Sequence, residues 1–199
     1  MIDAILDGLL ATTAPEAVSV VFGLMYSILA VVRTRWCWVA GGISSGVLVV
    51  LSWQAHLPMQ ALLQGYYVGM SVYGFWHWSR QDQSKTEVTT WPLRNHLIAL
   101  GAIVLLSVVT AKYLGSQTSA AWPFLDSFVT WGSLLATWLT AQVKLENWLY
   151  WLVFDAISVF LFVKQGLMFV ALLMLIYLVI AAFGFVSWSR SRRAPAPSS

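Results

Sequence analysis

Asp155 stands in the run Asn147-Trp148-Leu149-Tyr150-Trp151-Leu152-Val153-Phe154-Asp155-Ala156-Ile157-Ser158, a carboxylate set among aromatic and branched apolar residues. If that run crosses a bilayer, a charge at its centre costs roughly 2.5–3.5 kcal/mol on insertion scales. Either a polar or cationic ligand compensates, or a Ser or Thr hydroxyl does so while fixing helix packing. Helical spacing places Asn147 or Trp148, Trp151, Asp155, Ser158 and Phe162 on one face. An aromatic surface one turn from a carboxylate suits a flat cationic ring, each cation-π contact contributing about 0.5–2 kcal/mol.

Two other segments carry stripes at the same spacing. One is Gln60, Gln64, Tyr67, Ser71, Gly74 and Trp78; the other is Asp126, Thr130, Ser133, Thr137 and Ala141. Lipid offers such faces no hydrogen-bonding partner, so they should turn inward to a cavity or to other helices. Asp126 and Glu16 are less specific, because an acidic side chain in the first turn of a helix is favoured by the helix dipole alone. Trp36, Trp78, Trp91, Trp122 and Trp188 fall near the ends of apolar segments, where an interfacial aromatic belt is expected.

The elements that must position these residues are membrane helices. The 199 residues are 59% hydrophobic and 10% charged, against roughly 45–50% and 25% in soluble domains. Apolar windows of spanning length occur at about 15–32, 36–54, 59–78, 94–113, 122–141, 147–163 and 167–188, which is seven. Residues 1–14 carry Asp3 and Asp7 and no basic residue, and read as an interfacial amphipathic helix. Residues 191–199 read as a disordered basic tail. With seven spans, nine of the eleven Lys and Arg fall on one side and only Lys112 and Lys164 on the other. That bias puts the C-terminus in the cytoplasm and the N-terminus outside. The formal net charge of +3 is then met by anionic lipid headgroups and calls for no nucleic acid.

The chain is also internally duplicated. Tyr73-Gly74-Phe75-Trp76-His77-Trp78-Ser79-Arg80 and Phe183-Gly184-Phe185-Val186-Ser187-Trp188-Ser189-Arg190 are near copies, 110 positions apart. Laying 16–80 on 126–190 without a gap gives 15 identities in 65 positions, among them Trp38 with Trp148 and Tyr67 with Tyr177. Repeats at 15–80 and 122–190 leave the segment 94–113 between them as a single linking helix. That extra crossing restores the direction, so two triple-helix repeats lie parallel in a three-plus-one-plus-three, SWEET-like arrangement with substrate between the halves near the midplane. Tyr67 and Tyr177 would flank that site, and Gly41, Gly42, Gly46, Gly69, Gly74 and Gly184 would allow close sliding contacts. Recognition of an asymmetric molecule is best sought where the halves differ, at Ser45 against Asp155 and Gln64 against Met174.

Enzyme chemistry finds no support. There is no Gly-rich phosphate loop or HExxH motif, and His56, His77 and His96 form no ligand cluster with the single Cys37. No cofactor, metal or catalytic residue is expected, and the longest inter-span loop, 81–93, is too short for a nucleotide-binding domain.

The runs YGFWHWSRQ at 73–81 and ENWLYWLVFDAISVFLF at 146–162, with Gln64 in LLQGYY, resemble the PnuC family of bacterial vitamin transporters. The resemblance implies a SWEET-like fold, a homotrimer in the inner membrane and import of nicotinamide riboside by facilitated diffusion. For such a ligand Trp151 and Tyr67 would stack on the pyridinium ring, Asp155 would accept ribose hydroxyls or face the cation, and Gln64 and Asn147 would pair with the amide or sugar, with Trp148, Asp126 and Tyr177 as further candidate residues of the site. The family often has Asn where Asp155 stands and Trp where Phe75 stands, which brings thiamin, also cationic, into consideration. A non-transporting substrate-capture subunit is a further alternative.

Overall fold

The computed structural model describes residues 2–56, 58–80, 87–117 and 122–193. These form eight helices: α1 (Ile2–Ala11), α2 (Ala14–Val31), α3 (Trp36–Gln54), α4 (Pro58–Arg80), α5 (Leu93–Gln117), α6 (Pro123–Ala141), α7 (Asn147–Lys164) and α8 (Met168–Arg193). Five of them, α2, α3, α5, α7 and α8, are long and apolar enough to cross a membrane. The two other long helices, α4 and α6, are those whose polar stripes lower their hydropathy. Residues 191–193 continue α8, and the rest of the expected tail, 194–199, lies outside the described residues, as do residues 81–86 of the 81–93 loop.

Helix starts follow local chemistry. Pro15 and Pro123 sit in the first turns of α2 and α6, where a missing N–H costs nothing. The Glu16 carboxylate accepts from the backbone N–H and the hydroxyl of Thr13, both at 2.7 Å, so it caps α2.

The helix ends carry the duplication into the backbone. Among the described residues four have positive φ: Arg33 (56°), His56 (59°), Val143 (52°) and Gly166 (78°). Arg33 and Val143 are repeat mates, as are His56 and Gly166. Each follows a helix C-cap, and Thr34 N–H donates to Leu29 O just as Lys144 N–H donates to Leu139 O, at 3.2 and 2.9 Å. These are left-handed Schellman closures, and they reverse the chain in the same way at both copies. Only one of the four positions is the Gly that this conformation favours. Replacing Gly166 with Ala is therefore expected to lower stability by about 1–2 kcal/mol, whereas His56→Gly at the exposed mate should raise it slightly; thermal unfolding midpoints of the detergent-solubilised protein check both signs.

Packing repeats as well. α3 packs on α2 and α4, and α7 packs on α6 and α8. The halves meet through α2 with α8 and α4 with α6, a pair of contacts that exchange when 16–80 is laid on 126–190. α5 packs on α6, and α1 on α8, where Gly8 lets the chain approach Phe169.

At the end of the bundle that carries Arg33, Lys144 and Arg190, one apolar cluster joins the halves and contains Trp38, Trp78, Trp148 and Trp188. Trp78 and Trp188, expected in an interfacial belt, are 4% and 0% exposed. The correction has a steric reason. Trp38 lies flush on Gly74 and Trp148 on Gly184, which brings each into edge contact with Trp78 (5.5 Å, 87°) or Trp188 (5.4 Å, 89°). Trp36 and Trp122, by contrast, are 56% and 44% exposed, as an interfacial aromatic should be. Of the six glycines expected to allow close contacts, Gly41, Gly42, Gly74 and Gly184 have a neighbouring side chain in close approach, whereas a Cβ on Gly46 or Gly69 would meet nothing within 4 Å.

Candidate functional site

The three polar stripes converge. α2, α3, α4, α6, α7 and α8 enclose a cavity of about 460 Å³ between the two halves. Gln64 and Tyr67 from α4, Trp148, Trp151 and Asp155 from α7 and Tyr177 from α8 all line it. So do Ser45 and Met174, so that both positions where the halves differ, Ser45 against Asp155 and Gln64 against Met174, face one space. A groove of about 610 Å³ near the end of α8 is larger, but it is lined by Leu145, Phe185, Val186 and arginines and gathers none of the stripes.

Two expected residues are not brought to the cavity. Asn147 is fully buried behind Trp148 with its amide engaged: Nδ2 donates to Lys144 O at 2.6 Å, and Oδ1 accepts from Thr140 Oγ1 at 3.1 Å. At the start of α7 its polar atoms close the α6–α7 turn, where backbone groups lack helical partners. Asp126 is in the first turn of α6, exposed, and outside the lining.

The hydrogen bonds sort the lining further. The hydroxyls of Ser44, Ser71 and Thr137 donate to the backbone oxygens of Ser19, Tyr67 and Ser133, at 2.7–2.9 Å. They satisfy themselves within the protein. Gln64 and Asp155 do not: each is 8% exposed and, among the described residues, neither side chain makes a hydrogen bond or an ion pair. They come from opposite halves and face a cavity large enough for a vitamin-sized molecule, so a ligand bearing donors or positive charge would satisfy both.

Sequence reasoning missed Tyr26, Trp38 and Phe154, which also line the cavity. A signal for them existed in the duplication. Tyr26 and Gly41 in the first half correspond to Ala136 and Trp151 in the second, and Phe22 and Ser44 correspond to Gly132 and Phe154. Bulk is exchanged between neighbouring helices: Tyr26 fills the space beside Gly41, and Phe154 fills that beside Gly132. The aromatic wall thus comes from α2 in one half and α7 in the other, which makes a nearly symmetric scaffold asymmetric at its centre.

Comparison with known proteins places the whole bundle. The family model described as nicotinamide mononucleotide transporter matches residues 13–190. The riboflavin/roseoflavin transporter RibM of Streptomyces davaonensis is 26% identical over 190 residues, spanning 92% of this chain and 88% of RibM. The nicotinamide riboside transporter PnuC of Escherichia coli is 27% identical over 205 residues, spanning 89% of this chain and 86% of that protein. The crystal structure of the vitamin B3 transporter PnuC superposes with a TM-score of 0.72 at 18% identity, covering 96% of this chain and 89% of the other.

Proposed function

We propose, from the premise that this chain belongs to the PnuC family of nicotinamide mononucleotide transporters, that it carries nicotinamide riboside or a similar flat cationic vitamin through the cavity between its halves. The protein is a multi-pass membrane transporter and not an enzyme. The observation that carries the finer reading is the unpaired Asp155 carboxylate beside Trp151 in the one space that all three polar stripes share. A pyridinium ring stacked on Trp151 and Tyr67 would place positive charge next to that carboxylate. Gln64 would meet an amide or ribose hydroxyls from the other side.

Our reading of the architecture is three plus one plus three: α2–α4 and α6–α8 as parallel repeats with α5 linking them. The exchanged α2–α8 and α4–α6 contacts and the paired positive-φ closures support it. Rocking of one repeat against the other would expose the site to each side in turn, with flux down the substrate's own gradient. We place the C-terminus in the cytoplasm of the bacterial inner membrane on the strength of the Lys and Arg bias. We read the assembly as a homotrimer; native mass spectrometry tests it.

Riboflavin is the second reading, favoured by the name of the Streptomyces relative. Proteoliposomes holding the purified protein decide between the two. Labelled nicotinamide riboside should equilibrate with no other gradient, and unlabelled thiamin and riboflavin report selectivity by competition. Absence of flux with tight stoichiometric binding would instead mark a substrate-capture subunit. Trp151→Ala is expected to weaken nicotinamide riboside binding by about 2- to 30-fold, the range that cation-π attraction supplies, as read from quenching of the remaining tryptophans. Unchanged affinity would remove Trp151 from the site.

A further inference from the structure

The two halves hold each other by a duplicated bond. Trp78, at the end of α4, donates its indole N–H to Ala141 O at the end of α6, at 2.9 Å. Trp188, at the end of α8, donates to Val31 O at the end of α2, at 3.0 Å. Trp78 and Trp188 are repeat mates, and so are Ala141 and Val31. Each half therefore closes the final turn of the other's first helix, satisfying a carbonyl that the helix itself leaves unpaired. Other bonds between the halves are not duplicated. Gln142 Nε2 donates to Tyr73 Oη at 2.7 Å, but Val32 and Phe183 stand at the corresponding places.

These bonds lie directly beneath the cavity. Trp38 and Trp148 line it, Trp78 and Trp188 do not, and each of the inner pair is held between its glycine and the edge of one of the outer pair. The inner indoles lack hydrogen-bond partners at Nε1. Of these four indole N–H groups at this end, two are satisfied and two are orphaned, so closure is stabilised by the first pair and opposed by the second.

We infer that Trp78 and Trp188 are paired gate residues: they hold the arginine-bearing end shut through reciprocal bonds to the opposite half, and that end opens when both bonds break together. The gate's purpose rests on the transport reading. Its existence is read without substrate, because the single cysteine of the chain, Cys37, is 0% exposed in the same cluster and reports opening directly.

The experiment is the rate at which N-ethylmaleimide modifies Cys37 in the full-length purified protein, followed by intact mass. Trp78→Phe and Trp188→Phe keep a ring but remove the donor. Each should raise the rate by about 2- to 10-fold, the equilibrium shift expected for one lost hydrogen bond, and the double variant should show the product of the two. Trp131→Phe is the control, since it removes an indole bond of 3.0 Å to Thr110 between α6 and α5, away from the gate. It should leave the rate unchanged. Wild-type reactivity in both gate variants, or an equal rise in Trp131→Phe, overturns the inference. If the gate variants do not fold, hydrogen exchange in the unmodified protein decides: the amides of Thr34 and Lys144 should exchange with one common opening rate, and two unrelated rates would refute coupling. Labelling that follows the expected pattern in a protein without flux would leave the gate standing and remove the transport reading instead.

Discussion

Asp155→Asn is expected to lower affinity for nicotinamide riboside, the proposed substrate, by about 10- to 150-fold while raising the thermal unfolding midpoint of the empty protein. Both effects have one cause. The carboxylate lies in the cavity wall without a hydrogen bond or counter-ion from the described residues, so a charge there has no protein partner in the empty site. The amide removes that charge, and a destabilised site of this kind is where stability and function trade against each other. A cationic ligand supplies the missing partner, and a hydrogen bond to a charged group contributes about 1.5–3 kcal/mol, which sets the fold-change. Riboflavin, which is neutral, should lose little. Calorimetric or fluorescence titration with both ligands, alongside thermal unfolding, separates the outcomes. A variant that unfolds more readily than wild type and binds both ligands poorly would mean that Asp155 is a packing residue, the alternative its sequence setting left open.

The second large effect is steric. A Cβ on Gly132 would overlap the ring of Phe154, and Phe154 lines the cavity at 2% exposure. Gly132→Ala must therefore push α6 from α7 or drive the ring into the substrate space. Overpacking of this kind costs about 1–3 kcal/mol, and here part of the strain falls on the site. The expected result is a lower unfolding midpoint together with reduced transport, and Phe154→Leu in the same chain should restore the midpoint. Gly46→Ala is the contrast, because its Cβ would meet nothing within 4 Å and alanine is the better helix former. If Gly132→Ala is as stable as Gly46→Ala, the α6–α7 packing described above is incorrect.

Much of the molecule is legible in one dimension because lipid imposes a simple code. A span of about 20 apolar residues can satisfy its backbone only as a helix, so the windows at 36–54 and 122–141 anticipate α3 and α6 to within a residue or so. The polar stripes of α4 and α6 are visible for the same reason: polar side chains at helical spacing in an apolar segment have to face inward. Asn147 shows where that logic fails. It shares the Asp155 face by spacing, yet it sits at the first position of α7, where the α6–α7 turn competes for its amide. Asp126 fails differently, since one turn at a helix start does not fix which way a side chain points. The outer tryptophans fail most instructively. Proximity to a span end suggests an interfacial belt for Trp36 and Trp188 alike, and only packing tells them apart. Trp188 follows a glycine by one helical turn and meets a ring from the neighbouring helix.

Taken alone, the amino-acid sequence determined that this is an all-helical membrane protein built by duplication, with a carboxylate and aromatic residues on inward faces. Those properties depend on composition and period, which survive in a linear string. The tertiary structure decided which of those groups share a cavity, which hydroxyls are already satisfied by backbone, and that Gln64 and Asp155 face that cavity without a hydrogen-bonding partner among the described residues. It also decided that the paired tryptophan segments tie each half to the other. The physical reason is that hydrogen-bond satisfaction is a property of pairs. A sequence shows each donor and acceptor once, and only their distances in the folded chain show which have already found each other.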